Sequence, residues 1–179
     1  MEKISRNCMH LGLRVKDYEA TMAFYRDALG FEEIFTLLMR DFYETMELSA
    51  DGTVPERTVD DDEVWLTYLR IQDGQYLEIF PDRGIESAPD YNRQSFFHFS
   101  LEVDDIDVAV AKLRQRGITV YNLHIDAING SPSPAAFQAV QGRCGSRLAW
   151  IKDPDGNLIE VMQLMPESMQ RLRDSTTKN

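Results

Sequence analysis

Over residues 8–15 apolar and polar side chains alternate at nearly every step, the mark of a strand with one buried face. Asp17 then stands where a helix N-cap is expected. Tyr18, Met22, Tyr25 and Leu29 fall on one helical stripe, and Gly30 stops it. Strand-like stretches rich in aromatic and β-branched residues follow at 31–38, 42–48, 64–71 and 75–80, the last two meeting at an Asp73-Gly74 hairpin signal. The second half opens the same way, with a strand from His98, a cap at Asp105, a stripe of Ile106, Val110 and Leu113, and a stop at Gly117. Strands are expected next at 118–123, 147–152 and 157–163, the last pair joined through Asp153-Pro154-Asp155-Gly156.

The two halves are copies. Shifted by 88, His10-Leu-Gly-Leu13-Arg-Val15-Lys-Asp17 falls on His98-Phe-Ser-Leu101-Glu-Val103-Asp-Asp105. With the offset shortened to 82, Leu66-Thr-Tyr68 falls on Leu148-Ala-Trp150, Asp73-Gly74 on Asp155-Gly156, and Glu78 on Glu160. The matches keep their order, and unequal loops account for the change of offset. Each copy reads as strand, helix, then three strands, with one extra or interrupted strand in the first. The expected organisation is a first module at 1–88, a second at 89–165 and a tail at 166–179. The acidic stretch 49–63 and the Gly/Pro-rich stretch 127–146 read as insertions of loop character, and 166–173 as a short helix before a fraying end.

Charge and composition then narrow the function. The 179 residues carry 19 Lys+Arg against 30 Asp+Glu, a net −11, which disfavours nucleic-acid binding. No apolar run approaches the roughly 20 residues needed to span a bilayer. The opening residues Met1-Glu2-Lys3-Ile4-Ser5 carry no signal-like apolar region, so a cytoplasmic location is expected. Cys8 and Cys144 form neither a disulfide framework nor a CxxC site.

The repeat carries a chemical suggestion. His10 and His98 hold equivalent places in the first strand of each copy, and Glu78 and Glu160 in the last. A single His in a strand is ordinarily a hydrogen-bonded core residue, and a single Glu lies on the wet face. Here Glu78 shares its face with Tyr76 and Phe80, and Glu160 with Leu158 and Met162, so each carboxylate is flanked by large apolar neighbours and needs a partner. Two neutral imidazoles and two carboxylates balance one divalent cation. This nitrogen–oxygen set suits zinc or nickel first, with cobalt, manganese or iron also compatible. Arg14, on the same strand face as His10 and about 13 Å along it, suits the remote end of a ligand. Arg143, Arg147 and Lys152 read as exposed basic residues, Cys144 as a free thiol and His124 as a surface residue.

The motif His10-x-x-Leu13-x-Val15-x-Asp17 with Phe24-Tyr25-x-x-x-Leu29-Gly30-Phe31 resembles the opening of the vicinal oxygen chelate superfamily, and Asp153-Pro154-Asp155-Gly156-Asn157-x-x-Glu160 resembles its closing motif. The resemblance implies an α+β fold in which paired βαβββ modules form a curved mixed sheet around a metal. Within the superfamily the full His10/Glu78/His98/Glu160 set resembles glyoxalase I, the lactoylglutathione lyases. This implies a metal-dependent lyase or isomerase that moves a proton between adjacent carbons of a 2-hydroxycarbonyl or hemithioacetal, with Glu160 as base and Glu78 able to serve the opposite face. A homodimer acting on a small molecule is implied as well. Two rival readings remain: a non-catalytic small-molecule binding protein of the same superfamily, and an epimerase on another acyl or hydroxycarbonyl substrate. The thiol co-substrate is left open. Glutathione itself is expected to serve poorly, because Asp82 and Gln94 stand where the eukaryotic-type pattern has Asn and Arg, with Arg93 one position out of register.

Overall fold

A computed structural model describes residues 8–47, 56–82, 84, 90–91, 96–134 and 137–176. The chain divides into two compact units, Met1–Ser87 and Ala88–Asn179.

In unit 1, β1 (His10–Val15) leads into α1 (Tyr18–Met22), which continues as a π-helical segment over Ala23–Ala28. Asp17 caps the start, its side chain accepting from the Ala20 amide at 3.0 Å. The wider winding appears in the Leu29 amide, which donates to the Phe24 carbonyl at 2.9 Å, and Met22 and Tyr25 are buried beneath it. Then come β2 (Glu32–Leu38), α2 (Met39–Glu47), β3 (Val64–Gln72) and β4 (Gln75–Pro81). The sheet order is β1-β4-β3-β2, with β1 parallel to β4 and the other pairs antiparallel. Gly74, at φ 73°, makes the tight β3–β4 turn, a conformation that glycine adopts without a Cβ penalty.

Unit 2 repeats the plan with β5 (His98–Glu102), α3 (Ile106–Gln115), α4 (His124–Asn129), β6 (Val140–Gln141), β7 (Arg147–Lys152), β8 (Leu158–Gln163) and α5 (Met169–Thr176). Its sheet order, β5-β8-β7-β6, and its pairing senses match those of unit 1. Asp105 caps α3 by accepting from two amides, Asp107 and Val108. Ile106, Val110 and Leu113 pack inward as their spacing requires. The expected α+β fold of tandem βαβββ modules is the one observed. Among the described residues no helix is long and apolar enough to cross a membrane.

Two expected strands are not strands. The described part of the 42–48 stretch, 42–47, is helical, inside α2. There the Asp41 carboxylate reaches back to the Leu38 amide at 2.7 Å, and the Met39 and Arg40 amides donate to the Glu63 and Asp61 carbonyls. These contacts satisfy donors that a helix start leaves unpaired. Met39 and Tyr43, one turn apart, are buried, and Phe42 sets its ring edgewise on Trp65 at 5.2 Å. The 118–123 stretch makes one isolated bridge, Tyr121 to Trp150, because Val120 gives its carbonyl to Ser133 rather than to a strand. The chain then turns into α4, whose last residues, 127–129, fall in the segment expected to be loop. Part of the 49–63 insertion lies outside the described residues; its remainder ties back onto α2 through Arg40–Asp62 and internally through Arg57–Asp61 ion pairs, each at 2.9 Å.

Candidate functional site

Each sheet has a face turned to its helix and a face turned away. In unit 1 the Tyr18 hydroxyl meets Thr67 Oγ1 at 2.8 Å, which marks the Thr67/Ile79 side as the helix side. Period-two alternation then puts Tyr68, Glu78, His10, Gly12 and Arg14 on the other. In register, Glu78 stands between Gly12 of β1 and Tyr68 of β3. His10 Nε2 lies 3.6 Å from Glu78 Oε2. Unit 2 builds the same arrangement: Glu160 stands between Ser100 and Trp150, and His98 Nε2 lies 4.0 Å from Glu160 Oε2. The fold thus brings each expected His beside its expected Glu, within its own unit. Among the described residues no group of three or more His, Cys, Asp or Glu side chains is arranged to hold a metal ion.

Neither separation is a hydrogen bond, since both exceed the normal 2.7–3.2 Å range. The spacing is instead close to what two donors of one ion require. Bonds of about 2.0–2.2 Å at angles of about 110–120° place nitrogen and oxygen roughly 3.3–3.8 Å apart. Both carboxylates are largely enclosed, Glu160 at 8% exposure. A buried carboxylate requires compensating charge or donors. Among the described residues no hydrogen bond reaches the Glu160 carboxylate.

The surroundings of the two pairs differ. Tyr68 sets its ring edge-on to His10 at 5.7 Å and stacks on Phe35 at 4.7 Å, and its hydroxyl lies 3.4 Å from His10 Nδ1. Burial, then the Glu78 charge and a hydrogen bond to that carboxylate, push the Tyr68 phenol above its ordinary range. In unit 2 the equivalent ring is Trp150, edge-on to His98 at 4.9 Å. His98 Nδ1 is buried and has no hydrogen-bond partner among the described residues. Gly12 faces Glu78 closely: a Cβ there would sit 3.6 Å from Glu78 Oε2, in ordinary van der Waals contact. Arg14 is exposed on the His10 side of β1.

Residue-type reasoning missed Tyr68, Trp150 and His124. The first two were signalled by the matched Leu66-x-Tyr68 and Leu148-x-Trp150, whose meaning depends on cross-strand register. His124, exposed as expected, also joins the rings around His98, with centroids 5.8 Å from Phe97 and 5.6 Å from Trp150. Of the other candidates, Arg147 is bound to Asp107 at 2.9 and 3.1 Å, and Lys152 lies over the Tyr121 ring. Cys144 is a free thiol held below its ordinary range by hydrogen bonding with the Ser146 backbone and side chain. Arg93 and Gln94 lie outside the described residues.

Two βαβββ units, each presenting one His/Glu pair at the same register, define a paired-module protein with a duplicated half-site. Residues 8–161 match the Glyoxalase/Bleomycin resistance protein/Dioxygenase superfamily, and the chain belongs to it. A lactoylglutathione lyase of Pseudomonas putida is 28% identical over 170 residues, covering 88% of this chain and 84% of that protein. Among solved structures, a glyoxalase family protein from Enterococcus faecalis superposes with a TM-score of 0.60 at 20% identity, covering 88% of this chain and 97% of its own. TnmS3, an antibiotic binding protein from Streptomyces sp. CB03234, superposes at 0.53 with 17% identity, covering 92% of this chain and all of its own. Those two likenesses are of fold. The superfamily holds enzymes and non-catalytic members alike.

Proposed function

We propose that this chain is a divalent-metal-dependent lyase or isomerase of glyoxalase type, with His10, Glu78, His98 and Glu160 as the metal ligands and a 2-hydroxycarbonyl or hemithioacetal as substrate. The observation that carries the reading is the paired half-site: one His and one Glu per unit, at identical sheet register, with N···O separations of 3.6 and 4.0 Å. The donor set fits a borderline cation, and two carboxylates cancel its charge. Likeness to a lactoylglutathione lyase supports the reaction class. A homodimer acting on a small molecule in the cytoplasm completes this reading.

A divalent ion supplies Lewis-acid stabilisation of the negative charge that develops on two adjacent substrate oxygens. Glu160 takes the proton from the carbon beside the carbonyl and returns it to the neighbouring carbon. Glu160 is largely enclosed beside His98, the placement that a base acting on a substrate held there needs. Glu78 can serve the opposite face of the substrate. Arg14 holds an anionic group remote from the reacting carbons.

The deciding experiment is metal analysis of purified protein, followed by chelation and reconstitution with zinc or nickel. One ion per pair of half-sites, with turnover lost on chelation and regained on reconstitution, is the expected result; turnover indifferent to chelation overturns the proposal. Another 2-hydroxycarbonyl, or a thiol adduct other than that of glutathione, is the expected substrate, since Asp82 stands where the eukaryotic-type glyoxalase pattern has an Asn. A kcat/KM within the usual 10⁴–10⁸ M⁻¹s⁻¹ for the methylglyoxal–glutathione adduct would contradict it. A second reading, a non-catalytic small-molecule binder, is favoured by the half-exposed rings of Phe35 and Phe97 beside the two pairs, which offer apolar contact without any metal. Stoichiometric ligand binding unaffected by chelation would select it.

A further inference from the structure

His124 is a residue of unit 2 that the proposed function leaves unused. Its ring stands in a closed cycle of four. Phe97 meets His98 at 5.3 Å, His98 meets Trp150 at 4.9 Å, Trp150 meets His124 at 5.6 Å, and His124 returns to Phe97 at 5.8 Å. All four contacts are edge-to-face, with interplanar angles from 65° to 77°. The backbone builds this place. Tyr121 and Trp150 exchange amide-to-carbonyl hydrogen bonds at 2.8 and 2.9 Å, and the Asp126 carboxylate accepts from the Leu123 amide at 3.0 Å where α4 starts. Three residues beyond His124, Ala127 is fully buried, so the helix is held on the sheet. The corners of the cycle differ in exposure: Trp150 is buried and His98 half-buried, whereas Phe97 and His124 are exposed. Among the described residues no hydrogen bond or ion pair reaches the His124 ring, and neither open ring has a charged partner.

We infer that Phe97 and His124 form a wall for the carbon substituent of the substrate and select an uncharged aryl group there. The inference rests on the reading of His98 as part of the substrate site. His98 is a corner of the same cycle, so a 2-hydroxycarbonyl held beside it has its substituent within reach of the two open rings. An aliphatic substituent would gain only the area it covers. A flat ring gains that area and also the edge-to-face attraction between aromatic quadrupoles, the geometry in which these four rings already meet. A carboxylate or ammonium on the substituent would give up water and find no opposite charge on either ring. Unit 1 does not offer the same surface, because its open ring, Phe35, already has one face covered by Tyr68, stacked at 22°. Phe97 and His124 are therefore specificity-determining residues, and they belong to unit 2 alone.

The test uses the intact chain and two 2-hydroxycarbonyl probes of similar size, 2-hydroxyacetophenone and cyclohexyl hydroxymethyl ketone. Dissociation constants are read by isothermal titration calorimetry on metal-free and on zinc-loaded protein. The phenyl ketone should bind about 3- to 10-fold more tightly. The cyclohexyl group is the more apolar of the two, so hydrophobicity alone gives the opposite order. Phe97→Leu and His124→Leu, which keep apolar bulk and remove a ring, should each bring the ratio towards one while the cyclohexyl ketone binds nearly as before. Equal affinities in the unmodified protein overturn the inference, and so does failure of both ketones to bind. A phenyl preference that survives in both variants also overturns it, since the ring is then held elsewhere. Metal uptake decides the proposed function separately. A protein that takes up no metal but prefers the phenyl ketone through these two rings loses the lyase reading and keeps the aryl wall. One that takes up zinc and turns over substrate without that preference keeps the lyase reading and loses the wall.

Discussion

Set side by side, the two half-sites show what a duplicated module keeps and what it varies. Both place a His on the first strand, a Glu on the last and an aromatic ring opposite that Glu, because the same strand order and pairing senses recur. The enclosure differs. In unit 2, Tyr121 and Ala127 cover the sheet face that carries Trp150, Leu158 and Glu160, forming a small core on the site side. In unit 1 the corresponding face carries exposed His10, Gly12 and Arg14 and half-buried Tyr68. Backbone register therefore supplies the His/Glu pair, and the added elements set how enclosed each pair is. Unit 1 sets a tyrosine ring opposite its carboxylate in the more open setting, while unit 2 sets an indole there in a more closed one.

The sharpest way to break this comparison is to remove each carboxylate's charge in turn. Glu160→Gln should lower kcat by about 10²–10⁴-fold with KM near that of the unmodified protein, because a base contributes in the transition state. Glu78→Gln should lose less turnover and weaken metal binding instead. Equal losses of kcat in the two variants would remove the division of labour between the units.

Stability should divide along the same line. Trp150 is 5% exposed and packed against Tyr121, Ala127 and Leu158, so Trp150→Ala should cost about 3–5 kcal/mol in urea unfolding. Tyr68→Ala, at the equivalent but half-open position, should cost clearly less. A similar cost at both positions would mean that unit 1 encloses its ring as fully as unit 2 does.

The smallest contrast is at the helix starts. Asp105 accepts from two amides and Asp17 from one. Each change to Ala should cost about 1 kcal/mol, within the usual 0.5–2, with Asp105→Ala the larger. The reverse order would show that the π-wound helix of unit 1 depends more on its cap than the regular α3 does.

The sequence by itself determined the repeat, the caps at Asp17 and Asp105, most of the strands and the pairing of His10 with Glu78 and of His98 with Glu160. Each of these follows from local periodicity or from a match between the copies, and a chain carries both without reference to its fold. It did not determine that 42–47 is helical or that 118–123 fails to join the sheet. In both places the apolar pattern suits more than one structure, and distant groups decide by taking the backbone hydrogen bonds: Glu63 and Asp61 for α2, Ser133 for Val120. Nor could it separate the two halves chemically. Tyr68 and Trp150 look like interchangeable aromatic positions along the chain. Only cross-strand register, which brings the Tyr68 hydroxyl 3.4 Å from His10 Nδ1 and leaves His98 Nδ1 buried beside an indole, makes the two pairs different.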